Sequence, residues 1–337
     1  MSAVHDDDAL AQAVVLIEGA LVWDNHACMP LRPGDDAFLP QIERARKAGC
    51  DVVSLNVGFG PQSLEAHLRV AASFRRWFAA RPDLYILARG VADIDRAREE
   101  GKLAVFFDIE GMAPFDQGDA GLVQLFHDLG VRWMLIAYNR NNAAGGGCYD
   151  EDPGLSDHGR AILAEMKRVG MMVCCSHTGH RTAREVIEEA GNPVIFSHSN
   201  ASAVHPHTRN IPDELIEACA RTGGVVGVNG IGVFLGDNDD RAETLVRHID
   251  HMVQLVGPDH VGIGLDYVYD QQELAEHLVT MRETFADDPT YRQQIRMVGP
   301  EALPAIVAGL QARGYADGDI GKILGGNWRR VAGQVWR

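Results

Sequence analysis

The sequence predicts an α/β fold of the (β/α)₈ barrel type, and three observations predict it. Short apolar runs recur eight times along the chain. Amphipathic stretches separate most of them, so strand and helix alternate as they do in a parallel sheet with helical crossovers. Polar and titratable residues then gather where the runs end, and in a barrel the C-terminal ends of the strands are where chemistry collects. An open, doubly wound sheet is the competing architecture, and the number of polar strand ends weighs against it.

The runs come in order. Ala20-Leu21-Val22-Trp23 is the first, followed by Asp51 to Asn56, Leu103 to Phe107 and Trp133 to Ala137. Met171-Met172-Val173-Cys174-Cys175 and Pro193-Val194-Ile195-Phe196 come next, with a helical segment from Arg181 to Ala190 between them. That pair forms a β-α-β unit, so its strands are expected to be parallel neighbours. Gly224 to Val228 and His260 to Gly264 complete the eight. The intervening helices are expected over Pro61 to Ala80, Ala120 to Leu129, Ser156 to Val169, Pro212 to Arg221 and Arg241 to Val256. From about Gln271 the chain reads as further helices closing the barrel's side. No linker or low-complexity tract interrupts it, so residues 1–337 are expected to form one distorted barrel domain with extra C-terminal helices.

Composition limits the partners. Hydrophobic residues make up 46% and charged residues 23%, ordinary for a globular protein. A formal charge of −16 argues against nucleic acid and anionic membrane surfaces. No apolar stretch approaches the ~20 residues of a membrane-spanning helix, and the start is acidic where a secretory signal is basic. Six irregularly spaced cysteines do not form a disulfide framework. A cytoplasmic location is expected.

The strand ends carry the functional signal. Both mid-chain runs terminate in Ser-His, at Ser176-His177 and Ser197-His198, placing two imidazoles at the same end of adjacent strands. His26 and Cys28 follow the first strand two residues apart, so an extended backbone puts them on one face. Glu110 follows the third strand, Tyr138 and Asn139 the fourth, and Asp266 the eighth. Histidine nitrogen, thiolate and carboxylate together are a donor set that suits zinc, and Asp266 is placed to take a proton from metal-bound water. Duller roles compete: Glu110 as a helix cap, Asp266 as a turn opener, Cys28 as a small buried hydrophobe. His205 and His207 flank Pro206 and are expected on the surface. Cys174 and Cys175 are expected in the core, on opposite faces of their strand. Gly145-Gly146-Gly147 lacks the context of a phosphate loop and reads as a flexible loop.

At these residues the chain resembles the membrane (renal) dipeptidase family of zinc peptidases. The resemblance runs from about Ala20 to Val331. It rests on Asp108-Ile109-Glu110-Gly111, Ser176-His177-Thr178-Gly179, Phe196 to Ala201, Arg209-Asn210-Ile211-Pro212-Asp213, Val261 to Asp266 and Gly325-Gly326-Asn327-Trp328. It implies two zinc ions bridged by Glu110, with His26 and Cys28 on one and His177 and His198 on the other. It also implies Asp266 as the proton carrier, Arg209 as the group binding the substrate carboxylate, and Tyr138 and Asn139 beside the substrate. A small dipeptide is the implied substrate, with a D-residue accepted at the second position, and a homodimer is the implied assembly. Two departures stand out. The family's His-x-Asp is His26-Ala27-Cys28 here, and Tyr138 stands where better-known members carry a histidine. A related hydrolase of N-acyl amino acids or lactams, or a binding protein that lost catalysis with the aspartate, are the alternatives.

Overall fold

Eight strands pair in parallel and close on themselves. The computed structural model describes residues 2–115, 118–286 and 288–337. Ten strands are numbered in chain order: β1 Trp23–Cys28, β2 Val52–Phe59, β3 Tyr85–Leu87, β4 Leu103–Glu110, β5 Val131–Leu135, β6 Met172–Cys174, β7 Ile195–Phe196, β8 Val225–Val228, β9 Val261–Ile263 and β10 Tyr267–Val268. The barrel order is β1-β2-β4-β5-β6-β7-β8-β9, and pairing of Asp24 with Ile263 returns β9 to β1.

Two strands lie outside the predicted eight, for the same reason. β3 shares one edge of β4 with β5, pairing at Leu103 to Val105 while β5 takes Phe107 to Ile109. β10 continues β9 along the edge of β1, with Ala27 opposite Tyr267 and Cys28 opposite Val268. Both are two or three residues long and exist only because a neighbour offers free backbone groups. The break between β9 and β10 falls at Gly264 to Asp266.

The first strand is displaced from its expected place. The apolar run ends at Trp23, yet β1 extends to Cys28, so His26 and Cys28 lie within the strand rather than after it. Its polar residues face the barrel mouth, where hydrocarbon is not required. The ladder slips between Asp24 and Ala27, and such a bulge re-aims side chains near a site.

Two cores result. Trp23, Phe106, Trp133, Met172, Cys174 and Val225 fill the barrel interior, whereas Cys175, Val226 and Phe107 pack outward against helices. Cys174 and Cys175 therefore do point to opposite faces. The helices fall close to their expected spans, including Leu64–Ala79 capped by Ser63 and Asp157–Val169 capped by Ser156. The C-terminal helices do not close the barrel's side as a group. Gln271–Thr280 and Arg282–Phe285 cross the mouth, and Leu303–Ala312 packs outside against Ser2–Gly19 and Ala242–Val256. Asn327–Val335 stops the opposite end, where Trp328 joins the interior core and its Nε1–H donates to the Ile263 carbonyl at 3.0 Å. A Cβ on Gly262 would lie 2.6 Å from that indole, so only glycine admits it.

Candidate active site

Glu110, the last residue of β4, collects the site around one oxygen. Its Oε1 is buried and accepts no hydrogen bond, yet it lies 3.5 Å from His26 Nε2, 3.4 Å from His177 Nε2 and 3.3 Å from His198 Nε2. His177 Nε2 and His198 Nε2 face each other at 2.9 Å. On the other side of His26, Cys28 Sγ lies 3.5 Å and Asp266 Oδ1 3.4 Å from His26 Nε2, and 3.9 Å from each other. Two donors on a tetrahedral ion with bonds of about 2.0–2.1 Å sit about 3.3–3.4 Å apart. The separations from Glu110 to the three imidazoles, and from His26 to Cys28 and Asp266, lie at 3.3–3.5 Å, close to that figure, and the donor types are those of a divalent transition metal.

The imidazoles are turned for that purpose. His177 Nδ1 meets Asn139 Oδ1 at 2.7 Å, and an amide oxygen only accepts, so Nδ1 carries the proton and Nε2 presents its lone pair. His26 Nδ1 meets the Asp108 carboxylate at 3.3 Å, with the same result. Asp108 is itself held by Ser54 Oγ at 2.5 Å and Asn56 Nδ2 at 3.1 Å. His198 Nδ1 bonds Ser197 Oγ at 2.9 Å. An orienting partner on the far nitrogen is the pattern of metal-ligating histidines.

The electrostatics call for a cation. Burial, reinforced by the charge of Arg209 and His26, keeps His177 well below the ordinary histidine range; burial and then His26 do the same to His198. Burial also opposes protonation of His26, but Glu110, Cys28 and Asp108 outweigh it and raise His26. Burial pushes Glu110 up to about 8 and the Cys28 thiol up to about 12. An apolar enclosure holding carboxylates this close is costly without a positive partner. The residues present fit a metal.

Asp266 sits in the break between β9 and β10 at φ 57°, a left-handed conformation rare for a non-glycine residue. Its N–H donates to the His26 carbonyl at 2.9 Å and its Oδ2 accepts from Asn229 Nδ2 at 2.8 Å. Asp24, buried beneath, accepts the N–H of Leu265 at 2.8 Å and ties this break to β1. Asn139 and His177 also have positive φ, 62° and 61°. Backbone strain of this kind concentrates at functional sites.

Arg209 is 3% exposed, with Nε and Nη2 buried and without partners among the described residues. Its guanidinium lies 5.3 Å over the Phe234 ring. Tyr138 stacks on His177 at 4.2 Å and lines the chamber over the donors. Burial, with Glu110 and Asp266 nearby, holds that phenol well above its ordinary range, so it stays a donor.

Two expectations change. Asn139, expected beside the substrate, lines the chamber over the donors with its side-chain oxygen engaged by His177. His207 is not on the surface: its ring is buried against Phe234 at 4.8 Å, and its Nδ1 accepts the Arg209 N–H at 3.0 Å. The glycine loop is tightly packed rather than flexible, since a Cβ on Gly147 would meet the Asn139 backbone at 2.3 Å. Sequence reasoning missed Asp24, Asp108, Ser197 and Asn229 as orienting residues. Only Asp108 left a signal, because it alternates with Glu110 on one strand and shares its face.

The match to known proteins follows this geometry. The model of the membrane dipeptidase family, peptidase family M19, matches residues 37–283. The chain belongs to the membrane dipeptidase family. An uncharacterised protein from the pqqA 5′ region of Klebsiella pneumoniae is 32% identical over 263 residues, 74% of this chain and 89% of that protein. Dipeptidase aclJ of Aspergillus oryzae is 30% identical over 262 residues, covering 75% of this chain and 57% of that longer relative. A solved amidohydrolase from Pseudomonas aeruginosa superposes with a TM-score of 0.88 at 29% identity, over 96% of this chain and 99% of that one. The fold is thus that of a peptidase family. No helix among the described residues is long and apolar enough to cross a membrane.

Proposed function

We propose that this membrane dipeptidase family member hydrolyses small dipeptides, with an L- or D-residue at the second position, using two zinc ions. Glu110, His177 and His198 would hold one ion, and Glu110, His26 and Cys28 would hold the other. The observation that carries the reading is the orphaned Glu110 Oε1 with three imidazole nitrogens 3.3–3.5 Å away. Cys28 in place of aspartate keeps the charge as a thiolate but offers one softer atom, and Asp266 Oδ1 lies beside it, 3.9 Å from Sγ.

Zinc, when bound, lowers the pKa of its water to about 7 and polarises a carbonyl. The chain's own residues do the rest. Arg209 grips the substrate's C-terminal carboxylate with donors that nothing else uses. Asp266, steadied through Oδ2 by Asn229, accepts the attacking water's proton at Oδ1 and returns it to the leaving amine. Tyr138 donates its hydroxyl proton to the oxygen that gains charge as the carbonyl becomes tetrahedral. The overhead segment Gln271–Phe285 limits bulk water. A site that grips the free C-terminal carboxylate of its substrate suits dipeptides rather than long chains. Metal-depleted protein should lack activity on an L,L- and L,D-dipeptide panel and regain it with zinc. Restoration on N-acyl amino acids alone would overturn the dipeptide assignment.

A further inference from the structure

The chamber above the donor cluster is walled by hydrocarbon. Met29, Phe59, Phe234, Leu274, Leu278 and Phe285 contribute much of its wall. The upper wall comes from Gln271–Thr280, where Leu274 and Leu278 lie one turn apart and face inward while Val279 is 69% exposed on the outer side. This helix is fixed. Asp270 caps it through Oδ1 to the N–H groups of Gln272 and Glu273, both at 3.1 Å, and Arg32 holds Asp270 Oδ2 at 3.0 Å, tying the helix to the loop after β1.

The chamber offers little to a charged side chain. Apart from the donor cluster, the acidic and basic side chains in its lining are Glu273 and His277. Glu273 is engaged by Arg32 Nη1 at 3.0 Å, and His277 packs its ring against Phe59 at 5.6 Å. A charged side chain of the substrate placed against this wall loses its water and meets no free counter-charge. An apolar side chain there removes its own surface and that of the two leucines from water.

We propose that this site selects dipeptides with bulky apolar side chains, and that Leu274 and Leu278 set that specificity. The proposal rests on the dipeptidase reading. The zinc-loaded full chain is assayed with Leu-Leu, Ala-Ala, Asp-Asp and Lys-Lys. The expected kcat/KM for Leu-Leu exceeds that for Ala-Ala by roughly 10-fold or more, the scale a hydrophobic pocket provides, and the charged dipeptides fall below both. The Leu274→Ser/Leu278→Ser variant should collapse the Leu-Leu to Ala-Ala ratio toward one, and Val279→Ser on the outer face should leave it unchanged. Equal turnover of apolar and charged dipeptides, or a ratio indifferent to the double substitution, overturns the proposal. If no dipeptide is cleaved, the dipeptidase reading has failed, and calorimetric binding of phosphinate mimics of Leu-Leu and Asp-Asp decides the chamber alone. Tighter binding of the Leu-Leu mimic, lost in the double variant, supports it; equal binding overturns it.

Discussion

Replacing Arg209 by methionine should improve the free protein and ruin the enzyme. Nε and Nη2 of Arg209 are buried without partners, and each unsatisfied donor costs about 1–3 kcal/mol. The Phe234 face at 5.3 Å returns part of this, up to about 2 kcal/mol. Methionine fills similar volume without a charge, so Arg209→Met should raise the unfolding free energy of substrate-free protein by roughly 1–4 kcal/mol. At roughly 2 °C per kcal/mol for a domain of this size, Tm rises by about 2–8 °C. Substrate binding moves the other way. Losing one side of a desolvated ion pair costs about 2–5 kcal/mol, or roughly 30- to several-thousand-fold in kcat/KM. Thermal unfolding without substrate and steady-state kinetics on one dipeptide measure the two effects. A variant with lowered Tm and unchanged kcat/KM would show that Arg209 is a structural residue and refute the reasoning.

Other expectations follow from the same geometry. Tyr138→Phe should lower kcat by roughly 10²–10³-fold with metal content and KM little changed; a fall under about threefold removes the hydroxyl from the reaction. Peroxide should release one metal ion and abolish turnover by oxidising Cys28, and Cys28→Asp should resist it; indifference of wild type excludes the thiolate as a ligand. His248 tests pH dependence away from the site. Its Nε2 donates to the Leu235 carbonyl, its Nδ1 accepts the Ala201 N–H, and burial holds it down to about 4. Below pH 6.5 the unfolded chain binds a proton that the folded chain refuses, so stability falls as pH drops from 6.5 toward 4. Between pH 7 and 5 this amounts to about 2 kcal/mol, and urea unfolding of His248→Gln should show a pH dependence smaller by that amount. An identical slope would contradict the assignment.

Much of the barrel was legible because parallel strands buried on both faces are unbroken apolar runs. β2, β4 and β5 to β9 announce themselves in this way. β1 does not, because Asp24, Asn25 and His26 sit in a strand whose inner end faces the site instead of the core. β3 and β10 depend on vacant edges of β4 and β1, which local composition does not encode. The role of Asn327–Val335 as the stopper was hidden because an amphipathic pattern shows that a face is buried, not what buries it. In the site, donors at strand ends were readable, whereas Arg209 was singled out only through the family motif that contains it. The partners that orient them come from other strands: Asn139 for His177, Asp108 for His26, Asn229 for Asp266. Those pairings are set by barrel register. The burial of His207 likewise depends on Phe234 and Tyr291, distant in sequence.

Glu110 as the residue shared by two metal positions is tested most directly by metal stoichiometry. Protein reconstituted with zinc and freed of excess by gel filtration should retain two equivalents per chain, and Glu110→Gln should retain fewer. One equivalent or none in the wild type, or two in Glu110→Gln, would contradict the account.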